Sequence, residues 1–163
     1  MAEYFIEQLV KKQATFGTYL KKAGLLLLPI LGLLLTPFLA AFGPLLVVVL
    51  VMLDVYLFKR LDLEYEYVFY NGDLDIDKVM GKEARKHLLT TSIKDAIVVA
   101  PTGAQEVLGY QHLKAINYST CVPGNKTYEL ITTKGSDKVR IIFEPNEAML
   151  KAMKDIAPKK VFF

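Results

Sequence analysis

The residues able to do chemistry are few and scattered. Asp73, Asp75 and Asp77 alternate along one stretch, His87 and His112 are the only histidines, and Cys121 is the only cysteine. Three carboxylates suit a hard cation such as Ca²⁺, which takes oxygen ligands. Their spacing matches the opening of an EF-hand calcium loop, but that loop needs glycine at its sixth position and an acidic residue at its twelfth. Here those positions hold Lys78 and Ala84. A strand rise of about 3.3 Å per residue also spreads the carboxylates too far for a compact cage. The expectation is a solvated strand face that discourages edge pairing. Neither histidine has a metal-ligand neighbour at suitable spacing. Cys121 with His87 or His112 would make a nucleophile and its base, yet no signature surrounds it. A small, part-buried thiol is the expected role. No catalytic, cofactor-binding or metal-ligating set emerges, so the reading is not an enzyme, with no cofactor and no metal.

Asp54 is different because of where it sits. It is the one residue charged at neutral pH in an apolar run over residues 25–58. Ionisable side chains inside a membrane are costly and often functional. In an antiparallel helix pair Asp54 would lie level with Lys21 and Lys22. The expectation is a local ion pair, or a carboxylate reaching headgroup water. The alternative is a small channel or transporter subunit using Asp54 and the Pro/Gly-broken helices, with Thr36 also available. Two helices enclose a pore only by oligomerising.

The run itself dictates how these residues are carried. One helix over 25–58 would be about 50 Å long, whereas the hydrocarbon core is about 30 Å thick. Pro37, Gly43 and Pro44 interrupt it, and Gly past one helix with Pro opening the next suits a turn. The spacing predicts helices over about 19–41 and 44–60. Lys11, Lys12, Lys21 and Lys22 precede the pair, Lys59 and Arg60 follow it, and the turn is uncharged. Basic flanks stay in the cytoplasm, which predicts a multi-pass protein of the cell membrane with both termini cytoplasmic. A cleavable signal peptide is rejected: the run is too long, begins late and lacks a small-residue cleavage site.

Residues 3–22 place Phe5, Ile6, Leu9, Val10, Phe16 and Leu20 at three- and four-residue spacing, which predicts an amphipathic helix lying in the lipid interface. After Arg60 the period changes to two. Leu63, Tyr65, Tyr67 and Phe69 alternate with Glu64, Glu66, Val68 and Tyr70, a strand with one buried face. Asn71-Gly72 signals a hairpin, with a return strand over 73–79. Further strands are predicted at 87–93, 96–100, 115–120, 126–133 and 138–143. A closing helix starts at Pro145 and buries Met149, Leu150, Met153 and Ile156. The chain has 163 residues, 53% of them hydrophobic, and a net charge of +3. That length allows one soluble domain beside the membrane segment, and so small a basic excess gives no argument for nucleic acid. Asn117-Tyr118-Ser119 and Asn125-Lys126-Thr127 match the glycosylation triplet, which matters only outside the cytoplasm.

Seven short antiparallel strands and one C-terminal helix is the element order of the pleckstrin-homology (PH) superfold. The segment around 64–75, with YEYVFYNGDLDI running from Tyr65 to Ile76, resembles the opening hairpin of bacterial PH-like domains. Thr91-Ser92-Ile93-Lys94-Asp95-Ala96-Ile97-Val98 resembles the strand that follows their I-x-D-I pattern. Over essentially its full length the chain is similar to a small family of bacterial membrane proteins with two N-terminal transmembrane helices and a PH-like domain. The resemblance implies architecture and brings no activity. Inositol-lipid binders of the superfold carry Lys and Arg about the first hairpin turn. Here that turn is Asn71-Gly72-Asp73, so headgroup recognition is not carried over.

The expected fold is thus an α+β membrane protein. Residues 1–22 form the interfacial helix, 23–60 the transmembrane hairpin, and 61–163 a PH-like sheet or partial barrel capped by a helix. The expected function is a membrane-anchored, non-enzymatic interaction or scaffold module. Its partners are the lipid bilayer, a membrane or cytoplasmic protein, and in a homo-oligomer a second copy.

Overall fold

The computed structural model describes residues 4–163. They divide into two compact units, one of residues 4–13, 64–79 and 85–163, the other of residues 14–63 and 80–84.

The first unit holds two four-stranded sheets. Strand β1 (Phe5–Lys11) runs antiparallel to β2 (Leu63–Tyr70), with Phe5 opposite Tyr70 and Lys11 opposite Glu64. β3 (Asp73–Met80) and β4 (Ala84–Ser92) complete the order β1-β2-β3-β4. The β2–β3 turn is Asn71-Gly72, at φ +48° and +108°, the left-handed geometry such a hairpin demands. The second sheet joins β5 (Val98–Pro101), β6 (Ala115–Asn117), β7 (Tyr128–Lys134) and β8 (Asp137–Phe143) in the order β5-β7-β8-β6. β6 pairs with β8 in parallel, unlike the all-antiparallel expectation. A short helix α3 (Gln105–Leu108) follows β5, and α4 (Glu147–Ile156) closes the fold. Asn146 caps α4, its side chain accepting from the Met149 N–H at 2.8 Å. The helix therefore begins two residues past the expected Pro145.

Alternation along β2 sends Tyr65, Tyr67 and Phe69 into the core, where they meet Leu74, Ile76 and Phe143, and α4 adds Met149 and Met153. Burying each large side chain is worth about 1.5–3 kcal/mol. The Tyr67 ring meets Phe143 edge-on at 5.8 Å. Its hydroxyl donates to the Tyr118 carbonyl at 2.5 Å, and burial holds the phenol well above its ordinary pKa.

The N-terminal reading needs correcting. Residues 5–11 are a strand of the first sheet, not part of an amphipathic helix over 3–22; residue 3 lies outside the described residues. Phe5, Ile6, Leu9 and Val10 fit helical spacing because both strand faces carry apolar residues: Phe5 and Leu9 on one, Ile6 and Val10 on the other. The strand is stitched in by Gln8, which donates to the Glu144 carbonyl and accepts from the Asn146 N–H, both at 2.8 Å. The sheet unit is therefore discontinuous in sequence and does not begin at residue 61.

The second unit is a helical hairpin. α1 (Phe16–Leu39) continues through Pro29 and Pro37, a single 3-10 turn spans Ala40–Phe42, and α2 is Gly43–Leu61. Pro44 stands in the first turn of α2, as Pro's missing N–H allows. Two glycines set the close approach. A Cβ on Gly32 would lie 2.7 Å from Leu50, and one on Gly43 2.7 Å from the Thr36 Cα. Among the described residues α1 is the one helix long and apolar enough to cross a membrane. α2 carries Asp54, Lys59 and Arg60 within its 19 residues.

Candidate functional site

The polar groups singled out in the sequence fall into three places. Asp54 lies within the hairpin, buried at 6% exposure, and its Oδ1 has no hydrogen-bond partner among the described residues. The expected pairing with Lys21 or Lys22 is not made. Lys22 instead reaches Asp62 at 3.1 Å and packs over the Phe58 ring.

The second place is the outward face of the first sheet. Asp77 Oδ1 stands 2.8 Å from His87 Nδ1, and Thr90 Oγ1 donates to Asp75 Oδ1 at 2.5 Å. Thr90 also stands 3.1 Å from His87 Nε2. Asp75 and Asp77 thus serve cross-strand hydrogen bonds, while Asp73 is exposed. Among the described residues no three His, Cys, Asp or Glu side chains are grouped to hold a metal ion. Glu66, on the same face, was not singled out in the sequence. It is 1% exposed, and Arg85 Nη1 approaches its Oε2 at 2.7 Å. Burial, then the Glu7 carboxyl, with Asp77 adding repulsion, raises the Glu66 pKa above the ordinary carboxylate range against the pull of Arg85. The signal was faint. Glu66 alternates as an outward residue should, and only the N-terminal strand on its far side makes β2 an interior strand.

The third place is the loop after β6. Cys121 is exposed, which corrects the part-buried expectation, and stands at φ +61°. Its Sγ lies 3.8 Å from Ser119 Oγ, and no hydrogen bond joins it to His87 or His112. The Glu144 carboxylate anchors this loop, accepting from Thr120 Oγ1 at 2.7 Å and from the Thr120 N–H at 3.2 Å. These contacts order the loop that carries Cys121.

Beside α4 lies a cleft of about 330 Å³, walled by Tyr128, Pro145, Leu150 and Phe163 with Lys126 and Lys151 at its rim. Buried within the second sheet, Arg140 donates to both Glu129 carboxylate oxygens, at 2.7 and 2.9 Å. That pair is structural: two parallel bonds satisfy a charge otherwise costly to bury.

The family described as Bacterial PH-like domain (DUF6106) matches residues 2–163. No curated protein and no solved structure matches the chain.

Proposed function

The chain belongs to the bacterial PH-like domain family, and on that premise we propose a membrane-anchored, non-enzymatic interaction module. PH-like domains are generally binding modules and commonly take lipids or proteins. The observation that carries the anchor is the inverted burial of the hairpin. Its buried residues are Gly32, Gly43 and Asp54, while Leu33, Leu34, Phe38 and Met52 are exposed. Small residues inside and large apolar residues outside is the pattern of helices packed in lipid.

Pairing of β1 with β2 supports two crossings over one. Lys11 and Glu64 are neighbours in one sheet, so residues 12–63 leave that sheet and return to it. An excursion that crosses a bilayer once must then cross it back. The basic flanks favour the cytoplasm for the sheet unit. Confinement there raises its effective concentration toward membrane-bound partners. The β5 edge is already occupied by a bridge to Val161. β1, β4 and β6 are the other terminal strands, and strand addition or the cleft beside α4 would receive a partner.

The test is topology. A reporter active only in the cytoplasm is fused to Phe163, and a second, active only outside, is inserted at Phe42. Signal from both is expected; with the two reporters exchanged, an external signal at Phe163 overturns the reading. Buried Asp54 favours a second reading, the small channel or transporter subunit. Under it Asp54→Asn abolishes transport, whereas a module that only binds keeps its partner.

A further inference from the structure

We infer that the open end of the helical hairpin is a binding site for an anionic glycerophospholipid of the surrounding leaflet. This rests on the membrane reading above and goes beyond it by naming a site and a ligand class. A groove of about 400 Å³ runs between the helices there. Leu25 and Leu28 of α1 face Leu57 and Leu61 of α2 across it. Gly24 opens its wall: nothing lies within 4 Å of where a Cβ would stand. Lys21 and Arg60 stand at its mouth, both exposed.

The charges are what single out the occupant. Four cations crowd this end of the hairpin, and two are neutralised, Lys22 by Asp62 at 3.1 Å and Lys59 by Glu83 at 2.8 Å. Lys21 and Arg60 have no carboxylate partner among the described residues, although both border the groove. Arg60 is steadied by the Tyr56 ring, 4.6 Å from its guanidinium carbon, a cation–π contact that leaves its N–H edge available. An Arg and a Lys together recognise a phosphodiester. The leucine walls continue from there along the helices, in the direction an acyl chain takes below its headgroup. A soluble anion would use the mouth and leave the walls wet, and a neutral lipid would leave two cations unpaired. An anionic phospholipid satisfies both halves.

The experiment uses the full chain, delipidated in non-ionic detergent, with phosphatidylglycerol or phosphatidylcholine added and bound lipid counted by native mass spectrometry. Phosphatidylglycerol is expected to be retained in preference to phosphatidylcholine, and glycerol phosphate should not displace it. Lys21→Ala with Arg60→Ala should weaken retention about tenfold or more. Gly24→Leu should also weaken it while keeping both charges, and leucine is the better helix former, so the hairpin still folds. Equal retention of the two lipids, or displacement by glycerol phosphate, overturns the site. So does unchanged retention in either variant. Carbonate extraction of the same cells separates the two failures. Protein that stays in membranes without lipid preference loses only the groove. Protein released by carbonate loses the hairpin reading and the groove with it.

Discussion

In α1 the Phe38 side chain is 86% exposed, while in β8 Phe143 is fully buried. The contrast extends to whole units. The sheet unit buries tyrosine, phenylalanine, isoleucine and methionine and turns most of its charges outward. The hairpin buries two glycines and an aspartate and turns leucine, valine and phenylalanine outward. Water drives the first arrangement, because removing apolar area from it is the main favourable contribution to folding. If the hairpin lies in lipid, as proposed, water does not drive the second. There, close van der Waals approach at Gly32 and Gly43 replaces burial as the source of helix pairing, as in lipid. On the membrane reading proposed above, one chain is written for two solvents.

The comparison breaks most visibly through matched truncations. Phe143→Ala should cost about 3–5 kcal/mol, whereas Phe38→Ala should stay within about 0.5 kcal/mol. Urea unfolding of the full chain in detergent, followed by amide exchange in β7 and β8 for the first and in α1 for the second, measures both. A comparable loss at Phe38 would mean that the hairpin is packed as a soluble core is. Arg140→Ala belongs with the large effects, at about 3–5 kcal/mol, since it strands the Glu129 carboxylate in the sheet. The double replacement Arg140→Met with Glu129→Leu should recover most of that loss in the same assay.

Smaller effects belong to the hairpin's contacts. Gly43→Leu forces a side chain against the Thr36 backbone and should cost about 1–3 kcal/mol, read as faster exchange of helix amides near Gly32 and Val47. Gly24→Leu, which meets open space, should leave those rates unchanged and is the matched control. Equal loss from both substitutions would show that leucine itself, not the close approach, disturbs the pair.

Period and punctuation explain what the sequence made legible. Alternation from Leu63, the Asn71-Gly72 turn and the apolar face of α4 are local signals, and every strand expected after residue 61 is present within a few residues. The N-terminal strand was illegible because its partner lies beyond the hairpin, and Phe5 and Leu9 on its outward face imitate a helical stripe. Missing that strand also hid Glu66, whose burial depends on neighbours on both sides. Asp54 was legible as unusual, but its helix-to-helix surroundings were not: Lys22 is drawn to Asp62, the residue that ends α2. The groove needed the register of two helices, which no single stretch encodes.

Glu66 offers the finest test, because it is a buried carboxyl of the sheet unit, as Asp54 is of the hairpin. Its pKa is raised in the folded protein, by burial first and by Glu7 next. The folded state therefore holds a proton at pH values where the unfolded chain has released it. Stability then falls as pH rises from the unfolded carboxylate value to the folded one, because the folded state binds more protons across that window. Glu66→Gln should flatten this part of the profile, while Arg85→Ala, which removes the opposing attraction, should steepen it. Thermal midpoints measured upward from about pH 4, near the ordinary carboxylate pKa, follow this dependence. Parallel profiles for wild type and Glu66→Gln would assign the pH dependence to other groups. A flattened profile would mean that the sheet unit tolerates its buried carboxyl by keeping it protonated, with Arg85 moderating the shift.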